Sequence, residues 1–274
     1  MRILIALNGS TALDDILEFS RQFIHSISEP LTILKIIDPD KDRPPASCDR
    51  IREQAVQILG TNFLNVCTRI GQAVDEIIHE TQTGRYDLVI IGDRHPGWLR
   101  RIVKISAAKR IAEQAACSVM IIRGKIGTNP IRNVLFCDSG AAGSTLVRKL
   151  NTQLDGLLNG EQDITILHIM SQISAGPGIS GQQLRSEADQ LIEAHTPEGN
   201  LLDQDVQSFT QLGIRSRPKV RHGLVVDEIS LEANSGGYDL IVIGAHQHNW
   251  QRFLLDDLSD KIIERAEHPV LVVK

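Results

Sequence analysis

Cysteine is scarce: Cys48, Cys67, Cys117 and Cys137 are the four in 274 residues, and none forms a C-x-x-C or other metal-type pair. Three of them fall in segments that read as strand or buried helix. This excludes a disulfide-stapled secreted scaffold and suits a reducing cytosol. Positive charge is not in excess either, with 29 Lys+Arg against 34 Asp+Glu and a net charge of −5. The chain therefore lacks the electrostatic footprint of a nucleic-acid binder, since no surplus of cations awaits phosphates. No apolar stretch approaches the roughly 18–20 residues of a membrane span. The opening run from Met1 to Leu7 is too short for a signal peptide. The expectation is a soluble, cytoplasmic protein with no membrane or nucleic-acid partner. There is also no G-x-x-x-x-G-K-[ST] and no G-x-S-x-G, so neither a P-loop nor a hydrolase nucleophile elbow is encoded.

What is present is ordinary globular material, 42% hydrophobic and 23% charged. The length fits about two domains at roughly 100–200 residues each. It also suffices to bury a core without staples.

The chain repeats itself. Residues 69–92, RIGQAVDEIIHETQTGRYDLVIIG, align without a gap on 221–244, RHGLVVDEISLEANSGGYDLIVIG, and about half the positions are identical. The offset is 152 residues, Gly71 falling on Gly223, and it superposes the two tryptophans, Trp98 and Trp250. The openings RILIALNGS and RNVLFCDSG correspond, as do LTILKII with ITILHIM and SVMII with PVLVV. A single duplication implies two domains, 1–124 and 130–274, joined by the Gly- and Pro-bearing segment GKIGTNP (124–130).

Within each copy the hydrophobic period alternates. Ile3–Leu7 and Leu31–Ile37 are continuous apolar runs, as in strands buried on both faces. Between them Leu13, Ile16, Leu17, Phe23, Ile24 and Ile27 recur at helical spacing. A helix through Ile51, Ala55, Ile58, Leu59 and Phe63, a short strand at 65–69, and a helix at 72–82 follow. Strands at 86–91 and Ser118–Ile122, with a helix at 106–114 between them, close the first copy. The second copy places strands at Asn133–Cys137, 164–169, 216–221, 238–243 and Val270–Val273. Its longer excursion after the second strand contains SQISAGPGISG (171–181), a loop, and Pro197, which should split the following helical region in two. Alternating strands and helices predict an α/β fold, two doubly wound, five-stranded parallel Rossmann-like sheets in tandem.

Ligands of such sheets sit beyond the carboxyl ends of the strands, where strand order reverses. The residues in question are Asn8-Gly9-Ser10 with Gly92-Asp93-Arg94-His95, and Asp138-Ser139-Gly140 with Gly244-Ala245-His246-Gln247-His248. Asp-Ser-Gly after the first strand, Tyr-Asp-Leu-Ile-Val-Ile-Gly-x-His at the fourth and His-Pro-Val-Leu-Val-Val at the end, in two tandem copies, resemble the universal stress protein family. Asp75-Glu76-Ile77 after Gly71 and Asp227-Glu228-Ile229 after Gly223 fit that family's third helix. The resemblance spans nearly the whole chain, one family domain per half. It implies an adenine-nucleotide-hydrolase-like fold, and pairing of the two domains through their fifth strands into a pseudo-dimer. The apolar edges Ser118–Ile122 and Val270–Val273 suit such pairing. Two chains would then pair again as a homodimer.

The family's ATP-binding branch carries Gly-x-x-Gly, nine residues, then Gly-Ser/Thr, whose backbone N–H groups close around phosphates. In the first copy Gly92 is kept, His95 and Ile105 replace the next two glycines, and Ser106 survives. A β-branched residue cannot cheaply take positive φ or admit a phosphate closely. In the second copy Gly244 is kept, Gln247 replaces the second glycine, and Asp256-Asp257 occupy the Gly-Ser place if one residue is deleted in the loop. GAHQHNW (244–250) resembles the non-nucleotide-binding branch. The expectation is a non-catalytic stress-response regulatory or interaction module with no cofactor and degenerate nucleotide loops.

Two alternatives stand beside it. One is an ATP- or AMP-binding switch with a modified site, at Asp138, Ser139, Gly244 and His246 in the second half or Asn8, Gly92, His95 and Ser106 in the first. Asp138 favours the second half, because the family's matching Asp lies against the adenosine. The other is a metal-dependent enzyme built on Asp138, His168, His222, His246 and His248. Arg94, His95, Arg100, Arg101, Lys104 and Lys109 form a basic cluster that reads either as an anion site or as a solvated face. The tryptophans read as pocket lining or as loop anchors, and Ser139 as an N-cap.

Overall fold

Five short apolar runs in each half set the frame. In a computed structural model of the chain, residues 1–7, 13–39, 47–93, 107–123, 130–138, 146–170, 186–245 and 256–274 are described. The first half supplies β1 (Ile3–Leu7), α1 (Leu13–Ser20), a 3-10 turn (Arg21–Ser26), β2 (Leu31–Ile37), α2 (Cys48–Leu59) and β3 (Leu64–Ile70). It continues with α3 (Ala73–Thr83), β4 (Leu88–Gly92), α4 (Ala107–Gln114) and β5 (Ser118–Ile122). The second half supplies β6 (Asn133–Cys137), α5 (Leu146–Gln153), β7 (Asp163–Met170), α6 (Ala188–Glu193) and α7 (Pro197–Gln211). It ends with β8 (Arg215–His222), α8 (Val225–Ser235), β9 (Leu240–Gly244), α9 (Asp256–Arg265) and β10 (Val270–Val273).

The strands form one ten-stranded sheet in the order β3-β2-β1-β4-β5-β10-β9-β6-β7-β8. Every pairing is parallel except that of β5 with β10, where Leu271 lies opposite Met120. The strand order of each half thus reverses between its first and fourth strands, β1/β4 and β6/β9, which is where a crevice opens in such folds. The middle strands are apolar on both faces because helices cover both, and Leu88–Gly92 and Ser118–Ile122 are buried throughout. One core layer holds Ile3, Ile5, Phe136 and Val242, and the other holds Leu4, Val89, Leu135 and Ile243.

The first helical region is shorter than the periodicity predicts. It tightens to 3-10 geometry after Ser20, whose buried hydroxyl donates to the Ile16 carbonyl at 2.7 Å. The fourth strands begin two residues later than expected, since Tyr86 and Asp87, and their counterparts Tyr238 and Asp239, have other partners. Pro197 does divide the helical region: α6 ends at Glu193, and α7 starts on Pro197 with Thr196 Oγ1 accepting from Gly199 N at 3.0 Å.

Candidate functional site

The repeated motif turns out to be framework. In the first half Arg69 donates to Glu80 at 2.6 Å and lies 3.7 Å from Glu76, while Tyr86 donates to Glu80 at 2.9 Å. In the second, Arg221 meets Glu228 at 2.7 Å and Glu232 at 3.0 Å, and Tyr238 donates to Glu232 at 2.7 Å. Burial pushes the Tyr86 hydroxyl up to about 12 and Tyr238 in the same direction. Burial would raise Glu232 too, but hydrogen bonds from Lys219, Tyr238 and Arg221 outweigh it and hold the carboxyl below its usual range. Asp75 and Asp227 tie neighbouring helices by 2.5 Å pairs to Arg110 and Arg265. Asp87 and Asp239 accept backbone N–H groups at Arg2, and at Arg132 and Asn133. Gly71 and Gly223 have φ of +152° and +149°, and an added Cβ would stand 2.6 and 2.7 Å from Glu76 and Glu228 Oε1. The charged and tyrosine residues of the aligned segments therefore tie the third helix to the third and fourth strands of each half.

The candidate site residues themselves are reached only in part. Asn8, His95, Ser106, Ser139 and His246 lie outside the described residues, as do Trp98, Trp250, His248, the 171–181 loop and the basic residues 94–104. Gly92 and Gly244 end β4 and β9. A Cβ on Gly244 would make only ordinary contact with Leu146, 3.5 Å away. Asp138, just beyond β6, accepts from Leu146 N at 3.0 Å and so holds the start of α5. Lys109, grouped by sequence with the basic loop, bonds Asp260 across the halves at 2.9 Å.

Two features went unnoticed in the sequence. Asp93, directly after Gly92, is 5% exposed and bonds Arg123 Nε at 3.0 Å. Arg123 Nη1 then donates to the carbonyls of Ile263 and Ala266 at the end of α9, in the other half. Lys274, the equivalent residue of the second half, donates to Glu113 and Ala115 carbonyls at the end of α4. Cations thus complement both helix C-termini reciprocally. The second feature is Asp205 on α7, fully buried, with neither carboxylate oxygen hydrogen-bonded. On the same face His168 has a buried, unpartnered Nδ1, and burial holds its pKa below the usual value against the charges of Glu198 and Asp138.

Of the five metal candidates, Asp138 and His168 share a sheet face, His222 is exposed at the end of β8, and the other two are outside the described residues. Among the described residues no three His, Cys, Asp or Glu side chains are grouped to hold a metal. The cysteines are free, and burial pushes the Cys67, Cys117 and Cys137 thiols up, away from reactive thiolates. No helix among the described residues is long and apolar enough to cross a membrane.

The universal stress protein family model matches residues 1–123 and 159–274. Universal stress protein G of Shigella flexneri is 29% identical over 115 residues, covering 41% of this chain and 80% of that protein. The fold is shared with a universal stress protein from Archaeoglobus fulgidus DSM 4304, with a TM-score of 0.66 at 17% identity, covering 100% of this chain and 96% of the other. The cytoplasmic domain of a prokaryotic cation chloride cotransporter has the same architecture, with a TM-score of 0.51 at 11% identity over 99% of this chain and 94% of the other. With two matched segments, a repeated Arg–Glu–Tyr framework and a 3-2-1-4-5 strand order in each half, the chain belongs to the universal stress protein family.

Proposed function

We propose that the chain is a non-catalytic stress-response regulatory and interaction module whose strand-four loops no longer hold a polyphosphate. The observation that carries this reading is the set of carboxylates at the carboxyl ends of the strands. Asp93 follows Gly92 directly, and the Arg123 guanidinium beside it spends Nη1 on carbonyls of the opposite half. In the second half Asp138 stands beyond β6. A carboxylate charge facing a triphosphate opposes binding by about 1 kcal/mol or more, and by less at Asp93, which Arg123 pairs. The loss of glycine at His95, Ile105 and Gln247 acts in the same direction.

Protein purified without added nucleotide should release far less than one adenine nucleotide per chain on acid precipitation and chromatography. A stoichiometric amount overturns the reading. A second reading, ATP or AMP in the second half, is favoured by Asp138 together with the unpartnered His168 Nδ1 on the same face. It predicts release of that stoichiometric nucleotide.

The antiparallel β5–β10 pairing and the reciprocal Arg123 and Lys274 caps support an intramolecular pseudo-dimer of domains 1–124 and 130–274. Further pairing into a homodimer, protein partners and a cytoplasmic location complete the proposal.

A further inference from the structure

Helix α7 lies over the second half with a buried stripe of Gly199, Leu202, Asp205 and Phe209. Steps of three, three and four residues keep them on one helical face. Phe209 packs edge-on against Phe136 of β6, with ring centroids 5.1 Å apart, which seats the stripe on the sheet. Asp205 is the misfit. Its side chain is fully buried, and both Oδ1 and Oδ2 lack a hydrogen-bond partner. An ionised carboxylate in that setting is costly, and keeping its proton is the way to avoid the cost.

Among the described residues the surroundings offer no relief. Asp138, beyond β6 on the face of Phe136, adds a negative charge that opposes ionisation of Asp205. β7 presents His168, whose charging burial disfavours. β8 presents Ser216, Pro218 and Val220, with His222 exposed at its end. The cations of β8, at Arg215, Arg217, Lys219 and Arg221, alternate to the opposite face, where Glu232 and Glu228 hold the last two. α5 turns Leu146, Val147 and Leu150 inward and α6 turns Ala188 and Leu191 inward. Of their charged residues, Arg148, Asp189 and Glu193 are exposed and Lys149 half-buried. On α7 itself, Glu198 is half-buried toward His168, and Asp203 accepts from Gln207.

We propose that α7 is a proton-responsive cover of the second half: it seats fully while Asp205 holds its proton and loosens when that proton passes to solvent as pH rises. Burial first, and the Asp138 charge second, push the carboxyl from 3.8 up to about 7. A carboxyl whose folded pKa exceeds its unfolded one contributes stability that is complete below the unfolded pKa. That contribution is lost as pH rises toward the folded value, here between about 4 and 7, so the cover weakens on the alkaline side. Helix α2 of the first half has no such response, because it buries only Ile51, Ala55 and Leu59. The inference is independent of whether either half takes a nucleotide.

Hydrogen exchange on the full chain at pH 6 and pH 8, corrected for intrinsic rates, tests it. The α7 amides should open about tenfold more often at pH 8, those of α2 should not change, and Asp205→Asn should abolish the difference. No excess opening, an equal change in α2, or persistence in Asp205→Asn overturns the proposal. Should that variant fail to fold, carboxyl-carbon NMR of the unaltered protein decides. One aspartate titrating near neutrality is expected, and titration of all of them below about pH 5 overturns it.

Discussion

At the scale of single residues, charge burial divides into a solved and an unsolved case. Asp93 and Arg123 solve it by pairing, with the guanidinium 0% and the carboxylate 7% exposed. Removing one partner of such a pair is far costlier than replacing both. Asp93→Ala should therefore lower stability by about 3–5 kcal/mol, read from urea denaturation, while Lys109→Ala at the half-exposed rim should cost under about 1 kcal/mol. Asp205 is the unsolved case, and its environment turns an energetic fault into pH sensitivity. A trace of it was legible in the sequence: an acid three residues after Leu202 and four before Phe209 sits on an apolar stripe. Asp93 and Arg123 carried no such trace, because they are 30 residues apart and meet only when β4 and β5 align in register.

At the scale of elements, the helical pair α6–α7 distinguishes the second half. The sequence located the break at Pro197, since proline cannot donate inside a helix and is favoured at its first turn. What fixes the two helices together is Gly199, where an added Cβ would stand 2.0 Å from the Leu191 carbonyl oxygen. Backbone cannot yield cheaply there, so Gly199→Ala should cost about 1–3 kcal/mol and lower the melting temperature. An unchanged melting temperature would show that α6 is free to shift. The strongest repeat, 69–92 against 221–244, was legible as duplication, and the structure shows what its charged residues do. Its Arg, Glu, Tyr and Asp residues bond one another and the backbone, which explains their spacing without any ligand.

At the scale of the whole molecule, the β5–β10 seam joins the halves into one sheet. Both strands would otherwise expose apolar edges with unpaired backbone groups. Leu271→Ala removes a fully buried side chain opposite Met120 and should cost about 2–5 kcal/mol. Hydrogen-exchange protection should fall in β5 as well as β10. Loss confined to β10 would mean that the seam does not transmit stability.

The sequence by itself determined the duplication, the alternation of strands and helices, and the strand-four glycines, because these depend on local periodicity and on turn chemistry along a continuous stretch of chain. Only the tertiary structure decided which charges are neighbours: Arg123 reaching α9, Lys274 reaching α4, and Asp205 buried within reach of the Asp138 charge. Such meetings join residues tens to well over a hundred positions apart. Their energies depend on burial and distance, quantities that no spacing along the chain contains.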